Sequence, residues 1–162
     1  MMIRPNTRFL LAHPAHFIAL GLGTGMAPVA PGTVGTLLAY PIYHLMVISQ
    51  AGTAAVIALI AVFVLIGVWA CAVTGRAMGI ADHSSMVWDE VVAMLLILLL
   101  IPPETGWWIA AFFVFRFFDV VKPQPIRYFD RTLKGGFGVM FDDILAAFYT
   151  LLVLAVAHRI LN

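Results

Sequence analysis

From Ala54 to Val73 the chain reads AAVIALIAVFVLIGVWACAV, with no charged side chain anywhere in the run. That is about the 20 residues an α-helix needs to cross a hydrocarbon core roughly 30 Å thick. In water such a segment has to be buried on every side, and the rest of the chain has too little polar surface to do it. Of its 162 residues 63% are apolar and only 10% charged, whereas a soluble domain is about half apolar and a quarter charged. The composition therefore predicts one integral membrane domain. A net charge of +1 and the lack of a basic stripe give no footprint for nucleic acid. Cys71 lies inside the apolar run; as the lone cysteine it has no intrachain disulfide partner and is read as structural.

Four further apolar runs share this character. Leu37–Gln50 is a short crossing unless its helix begins near Thr33. A third run ends at Ile101 before Pro102-Pro103, which cannot continue a helix. The fourth passes Trp107 and Trp108, residues typical of a membrane interface, and stops at Val121 before Lys122-Pro123. The fifth is Ile144–Leu161. Phe9–Leu22 is interrupted by His13-Pro14 and reads as a short interfacial helix. That interruption, followed by a glycine-proline segment, also argues against a cleaved signal. Residues 21–36, GLGTGMAPVAPGTVGT, are read as an uncharged loop. Their glycines do not follow a strand, so they make no dinucleotide fingerprint.

Five crossings with the N-terminus in the cytoplasm put Arg4, Arg8, Arg76, Lys122, Arg127, Arg131 and Lys134 inside and only Arg159 outside. This is the asymmetry of the positive-inside rule. The polar segments 21–36, 74–90 and 122–143 then share the cytoplasmic face, while the outer turns Ser49–Thr53 and Pro102–Gly106 are too short to hold a site.

Charge concentrates in Arg116–Asp143, RFFDVVKPQPIRYFDRTLKGGFGVMFDD, which holds four of the six aspartates and both lysines. Ionisable groups near lipid are costly unless paired, hydrated or ion-bound, and so point to function. Arg116, Asp119 and Lys122 are spaced to lie on one helix face, where they form either a charge ladder or part of a site. Pro123-Gln-Pro125 reads as a rigid turn beside Arg127. Gly135-Gly136-Phe137-Gly138 reads as a loop whose backbone amides approach an anion. Asp142-Asp143 is read as opening the last helix, one residue as its cap and the other as a ligand. Asp89-Glu90 starts the third helix, where one carboxylate is expected to face the bundle. Oxygen donors without a Cys or His ligand pattern favour a hard cation, Mg²⁺ before Zn²⁺, and adjacent Arg, Lys and glycine amides favour phosphate. Metal and phosphate at a membrane surface suggest phosphoryl chemistry on a lipid headgroup.

The blocks GLGTGMAPVAPGTVGTL, DHSSMVWDE, FRFFDVVKPQPIRYFDR and KGGFGVMFDD, in this order over most of the chain, resemble the phosphatidylglycerophosphatase A family of bacterial inner membranes. The family pattern often has Ser where this chain has Thr36. The resemblance implies Mg²⁺-dependent removal of the terminal phosphate of phosphatidylglycerophosphate to give phosphatidylglycerol. It also implies an all-α fold in which some apolar helices pack mainly on each other and need not cross the bilayer fully. Joined to the hydropathy and charge reading, this predicts a polytopic membrane helical bundle with an interfacial N-terminal segment and short helices around a cytoplasmic-face site. On this reading Glu90, Asp119, Asp142 and Asp143 are the metal-ligand candidates, with Asp89 and Asp130 as alternates or beside them. Arg116, Lys122, Arg127, Thr33, Gly135 and Gly136 are candidates to hold the phosphate. Asp89, Asp130 and Lys122 are catalytic candidates, and attack by water or by an aspartate are both open. His83 is read as a solvated loop residue with a lesser claim as proton donor. The motifs of the acid-phosphatase type (PSGH), the CDP-alcohol phosphotransferases (DGxxAR) and the DxDxT phosphatases are absent. A small ion-coordinating transporter or channel is the alternative, and it would spread acids through the membrane depth.

Overall fold

The computed structural model describes residues 5–161, so Arg4 lies outside the described residues. All regular structure among them is helical. The helices in chain order are α1 (Thr7–Ala12), α2 (Pro14–Ala19), α3 (Pro31–Ile48), α4 (Thr53–Met78), α5 (Trp88–Leu100), α6 (Thr105–Val121), α7 (Ile126–Thr132) and α8 (Gly135–Leu161), with a 3₁₀ segment at Gly21–Met26 between α2 and α3.

The expected single N-terminal helix is two helices. His13 ends α1 and caps α2 by accepting from the Ala15 N–H, and Pro14 takes the first helical position, where a missing N–H costs nothing. This segment packs into the bundle: His16 is buried, with Nδ1 3.0 Å from Thr74 Oγ1 on α4.

Helix α5 is the core element. It is apolar on every side, and Val91–Leu95, Ile97 and Leu98 are all buried, as expected for a helix enclosed by others. Helices α3, α4, α6 and α8 pack against it. Its 13 residues span only about 20 Å, short of the roughly 30 Å core. The third predicted crossing is thus a short central helix. Two helices, Thr53–Met78 and Gly135–Leu161, are long and apolar enough to cross a membrane. The bundle's outer surface is itself oily, with Leu65 on α4, Phe113 and Phe117 on α6 and Val156 and Ile160 on α8 all exposed. An apolar exterior this extensive belongs against lipid or another protein.

Helices α4 and α8 cross closely because glycines leave room. A Cβ on Gly136 would overlap the Val68 carbonyl of α4, and one on Gly67 would meet Met140 Sδ at 2.6 Å. At the end of the bundle away from the charged loops, Trp107 and Trp108 are half-buried. Trp108 accepts at its carbonyl from the Tyr40 hydroxyl at 2.8 Å, and the Trp107 ring packs on His158.

Candidate functional site

The N-terminal ends of α3, α5 and α8 and the C-terminal end of α6 meet at one end of the bundle, beside the loop that follows α4. Of the eight acidic residues only Glu104, just before α6, lies elsewhere. Their meeting place is a cavity of about 260 Å³ lined by Asp82, Asp89, Glu90, Arg116, Asp119, Lys122, Asp142 and Asp143.

Asp89 and Glu90 occupy the first turn of α5, where carboxylates complement the helix dipole. Both line the cavity, against the expectation that only one would face inward. Glu90 reaches it because the first turn of α3 carries no side chain at Gly32, where a Cβ would overlap Glu90 Oε1 and crowd the Arg116 guanidinium. Glu90 Oε1 accepts from Arg116 Nη1 at 3.4 Å, and Arg116 also pairs with Asp119 one turn along α6.

Asp142 and Asp143 do not open α8. The helix starts at Gly135, so both carboxylates lie two turns inside it and neither is a cap. They share its buried stripe with Val139, Ala146, Ala147 and Thr150, whose small side chains let α8 pack against α5. Asp142 pairs with Lys122, which also donates to Asp130 Oδ1 at 2.7 Å. Lys122 therefore does not extend the Arg116–Asp119 ladder. It caps α6 in a left-handed conformation and turns to α7 and α8 instead. Partial burial works against its ammonium charge, but Asp142 and Asp130 outweigh that and raise its pKa above the usual lysine value.

One carboxylate oxygen from each of Asp89, Glu90 and Asp143 lies within 4.8 Å of the others. Glu90 Oε2, Asp142 Oδ1 and Asp143 Oδ2 are buried without a hydrogen-bond partner among the described residues. Unpaired buried carboxylate oxygens are costly, and three acids this close repel one another. An all-oxygen donor set of this kind fits a hard divalent cation.

The remaining sequence candidates stand apart from this cavity. Arg127 is exposed and donates to the Val121 carbonyl at 3.1 Å. Thr33 is half-buried in the first turn of α3 and is not part of the lining. Gly135 and Gly136 begin α8 and are not the expected loop; Gly135, with Asp130, borders a neighbouring cavity of about 250 Å³ that shares Asp82 and Asp142 with the first. Residues 31–36, expected in a loop, are the start of α3. His83, expected in solvent, is buried. Asp82 was missed as a site residue, and only the fold brings it to the acids.

The glycine-rich 3₁₀ segment holds the loop before α5. A Cβ on Gly25 would overlap the Ser85 carbonyl, one on Gly35 would meet Val87 Cβ at 2.6 Å, and Val87 donates to the Ala19 carbonyl at 2.9 Å. These glycines thus fix the approach to Asp89.

The family model described as phosphatidylglycerophosphatase A matches residues 17–158. The chain belongs to this family. It is 44% identical over 150 residues to a Haemophilus influenzae protein named phosphatidylglycerophosphatase A, covering 92% of this chain and 91% of the relative. An Escherichia coli protein of the same name is 39% identical over 142 residues, covering 87% of this chain and 81% of the relative. A Bacteroides thetaiotaomicron protein provisionally named a phosphatidylinositol-3-phosphatase is 39% identical over 151 residues, covering 90% and 94%. No solved structure matches the chain. Family membership makes the chain a phosphatase.

Proposed function

We propose that the chain removes the terminal phosphate of phosphatidylglycerophosphate to give phosphatidylglycerol, using Mg²⁺, at the cytoplasmic face of the bacterial inner membrane. The observation that carries this reading is the Asp89–Glu90–Asp143 cluster beside Arg116 and Lys122 at one end of an oily bundle. The two named phosphatidylglycerophosphatases, at 44% and 39% identity, supply the substrate.

On this reading Asp89, Glu90 and Asp143 would hold the metal, which when bound would supply positive charge to offset that of the phosphate. Arg116 and Lys122 line the same cavity and hold phosphate oxygens. Arg116 pairs with Glu90 and Asp119, and Lys122 with Asp130 and Asp142. These ion pairs hold both cations beside the cavity they line. Asp82 stands at the exposed rim.

Phosphate release from micellar phosphatidylglycerophosphate is expected to stop in EDTA and to return with Mg²⁺ far better than with Ca²⁺, because the smaller ion suits phosphate-bearing sites. Full activity in EDTA would remove the metal from the mechanism. Gathering seven of the eight acids at one end also disfavours an ion-transit pathway, which needs them through the membrane depth.

The multi-pass, cytoplasmic-face arrangement has its own test. Single cysteines at Ser84 and Lys134 should react with an impermeant reagent only from the cytoplasm, and one at Thr105 only from outside. Labelling of the Ser84 and Lys134 positions from opposite sides would contradict a common face.

A further inference from the structure

A third cavity, of about 410 Å³, adjoins the acid-lined one and shares Pro31 and Ser84 with it. Its walls are Met26, Pro28 and Pro31 on one side and the segment His83–Ser85 on the other. Pro31 starts α3, and the missing side chain at Gly25 lets the 3₁₀ segment pack directly on the Ser85 backbone.

The buried His83 ring is the distinctive polar group here. Its Nδ1 accepts from the Ser85 N–H at 3.1 Å, inside its own loop. A ring nitrogen that accepts carries no hydrogen, so this bond assigns the ring N–H to Nε2. Nε2 has no hydrogen bond among the described residues. The ring is thus placed to donate a hydrogen bond from Nε2.

We infer that this cavity is the headgroup subsite, in which His83 Nε2–H donates to an oxygen of the inner phosphodiester or glycerol of the lipid. The inference rests on the proposed reaction: a terminal phosphate among Arg116, Lys122 and the acids leaves the rest of the headgroup to occupy adjoining space. It gives the chain a means of choosing among phosphate monoesters that is separate from the phosphate cradle. A relative with 39% identity that is named for an inositol lipid makes such separation useful.

Two substitutions divide the roles of the ring. His83→Asn places a carbonyl near the Nδ1 position, keeping the bond to Ser85 and losing the Nε2 donor. His83→Gln places an amide nitrogen near Nε2, keeping the donor. For a headgroup donor, His83→Asn raises KM for phosphatidylglycerophosphate about 10-fold with little change in kcat, the scale of one lost hydrogen bond. His83→Gln stays within about 3-fold of wild type. Inhibition by inorganic phosphate, which needs only the cradle, is the same in all three. A wild-type KM in His83→Asn, equal losses in both variants, loss of folded His83→Asn protein, or an altered inhibition constant for phosphate would each overturn the subsite. Failure of the wild-type enzyme to release phosphate from this lipid would instead remove the proposed reaction.

Discussion

Asp143→Asn is expected to give a folded protein whose turnover of phosphatidylglycerophosphate is lower by more than about 10²-fold, the loss seen when a charge-stabilising group leaves an active site. The side chain is buried and nearly isosteric with its replacement, and Oδ2 has no partner among the described residues. Nothing in the packing therefore resists the change. The electrostatics favour it when metal is absent, because one of three crowded carboxylates loses its charge. In EDTA the variant should melt at or above the wild-type temperature. Added Mg²⁺ should raise the melting temperature of the wild type, since a ligand that binds only the folded state stabilises it, and should barely move the variant. The two readouts together separate a ligand from a packing residue. A variant that melts early in EDTA yet turns over normally would make Asp143 structural.

The same substitution at Asp119 is expected to be milder. Asp119 and Asp142 stood beside Glu90 and Asp143 as equal ligand candidates in the sequence, because spacing reports which acids share an end of the bundle but not which cation each one meets. The fold divides them: Asp119 faces Arg116, Asp142 faces Lys122, and Asp89 takes a place in the close carboxylate cluster.

What was legible follows the long-range pattern of charge and oil. Apolar runs marked α3 to α6 and most of α8, and the return of charge marked the end of the bundle that carries the cavity. What was not legible follows tertiary contacts that override local preference. Gly135-Gly136-Phe137-Gly138 has loop composition but forms the first turn of α8, because a Cβ at Gly136 would overlap α4 and one at Gly138 the Leu133 carbonyl. Pro31-Gly32-Thr33-Val34-Gly35-Thr36 is likewise helical, its glycines making room for Glu90 and Val87. Asp82 is a single acid in a loop, with no periodicity to reveal where it points. The burial of His83 comes from the 3₁₀ segment packed over its loop, a contact between distant parts of the chain.

Lys122→Met should produce the largest loss of stability of any single change at the site. Lys122 joins the C-terminal end of α6 to Asp130 on α7 and to the buried Asp142 on α8. Methionine keeps much of the length and none of the charge, leaving two carboxylates facing each other beside Asp143. Breaking a buried pair from one side costs about 3–5 kcal/mol, mostly from the charge left behind. The lysine side chain remains 23% exposed and that of Asp130 32%, so the lower end, about 3 kcal/mol, is expected. For a chain of this size that lowers the melting temperature by roughly 6–12 °C. The raised pKa of Lys122 fixes the pH window. Its stabilisation is fully present below the unfolded lysine value of about 10.4 and is lost as pH climbs through the folded value. The gap between wild type and variant should thus stay open at neutral and mildly alkaline pH and close only in strong alkali. Adding Asp142→Asn to Lys122→Met removes the stranded charge and should recover at least about half of the lost stability, without restoring turnover, since the cation proposed to hold phosphate is still missing. A single variant that melts with the wild type in detergent would show that Lys122 is not needed to neutralise Asp142, and a double variant less stable than the single would show that Asp142 acts through packing.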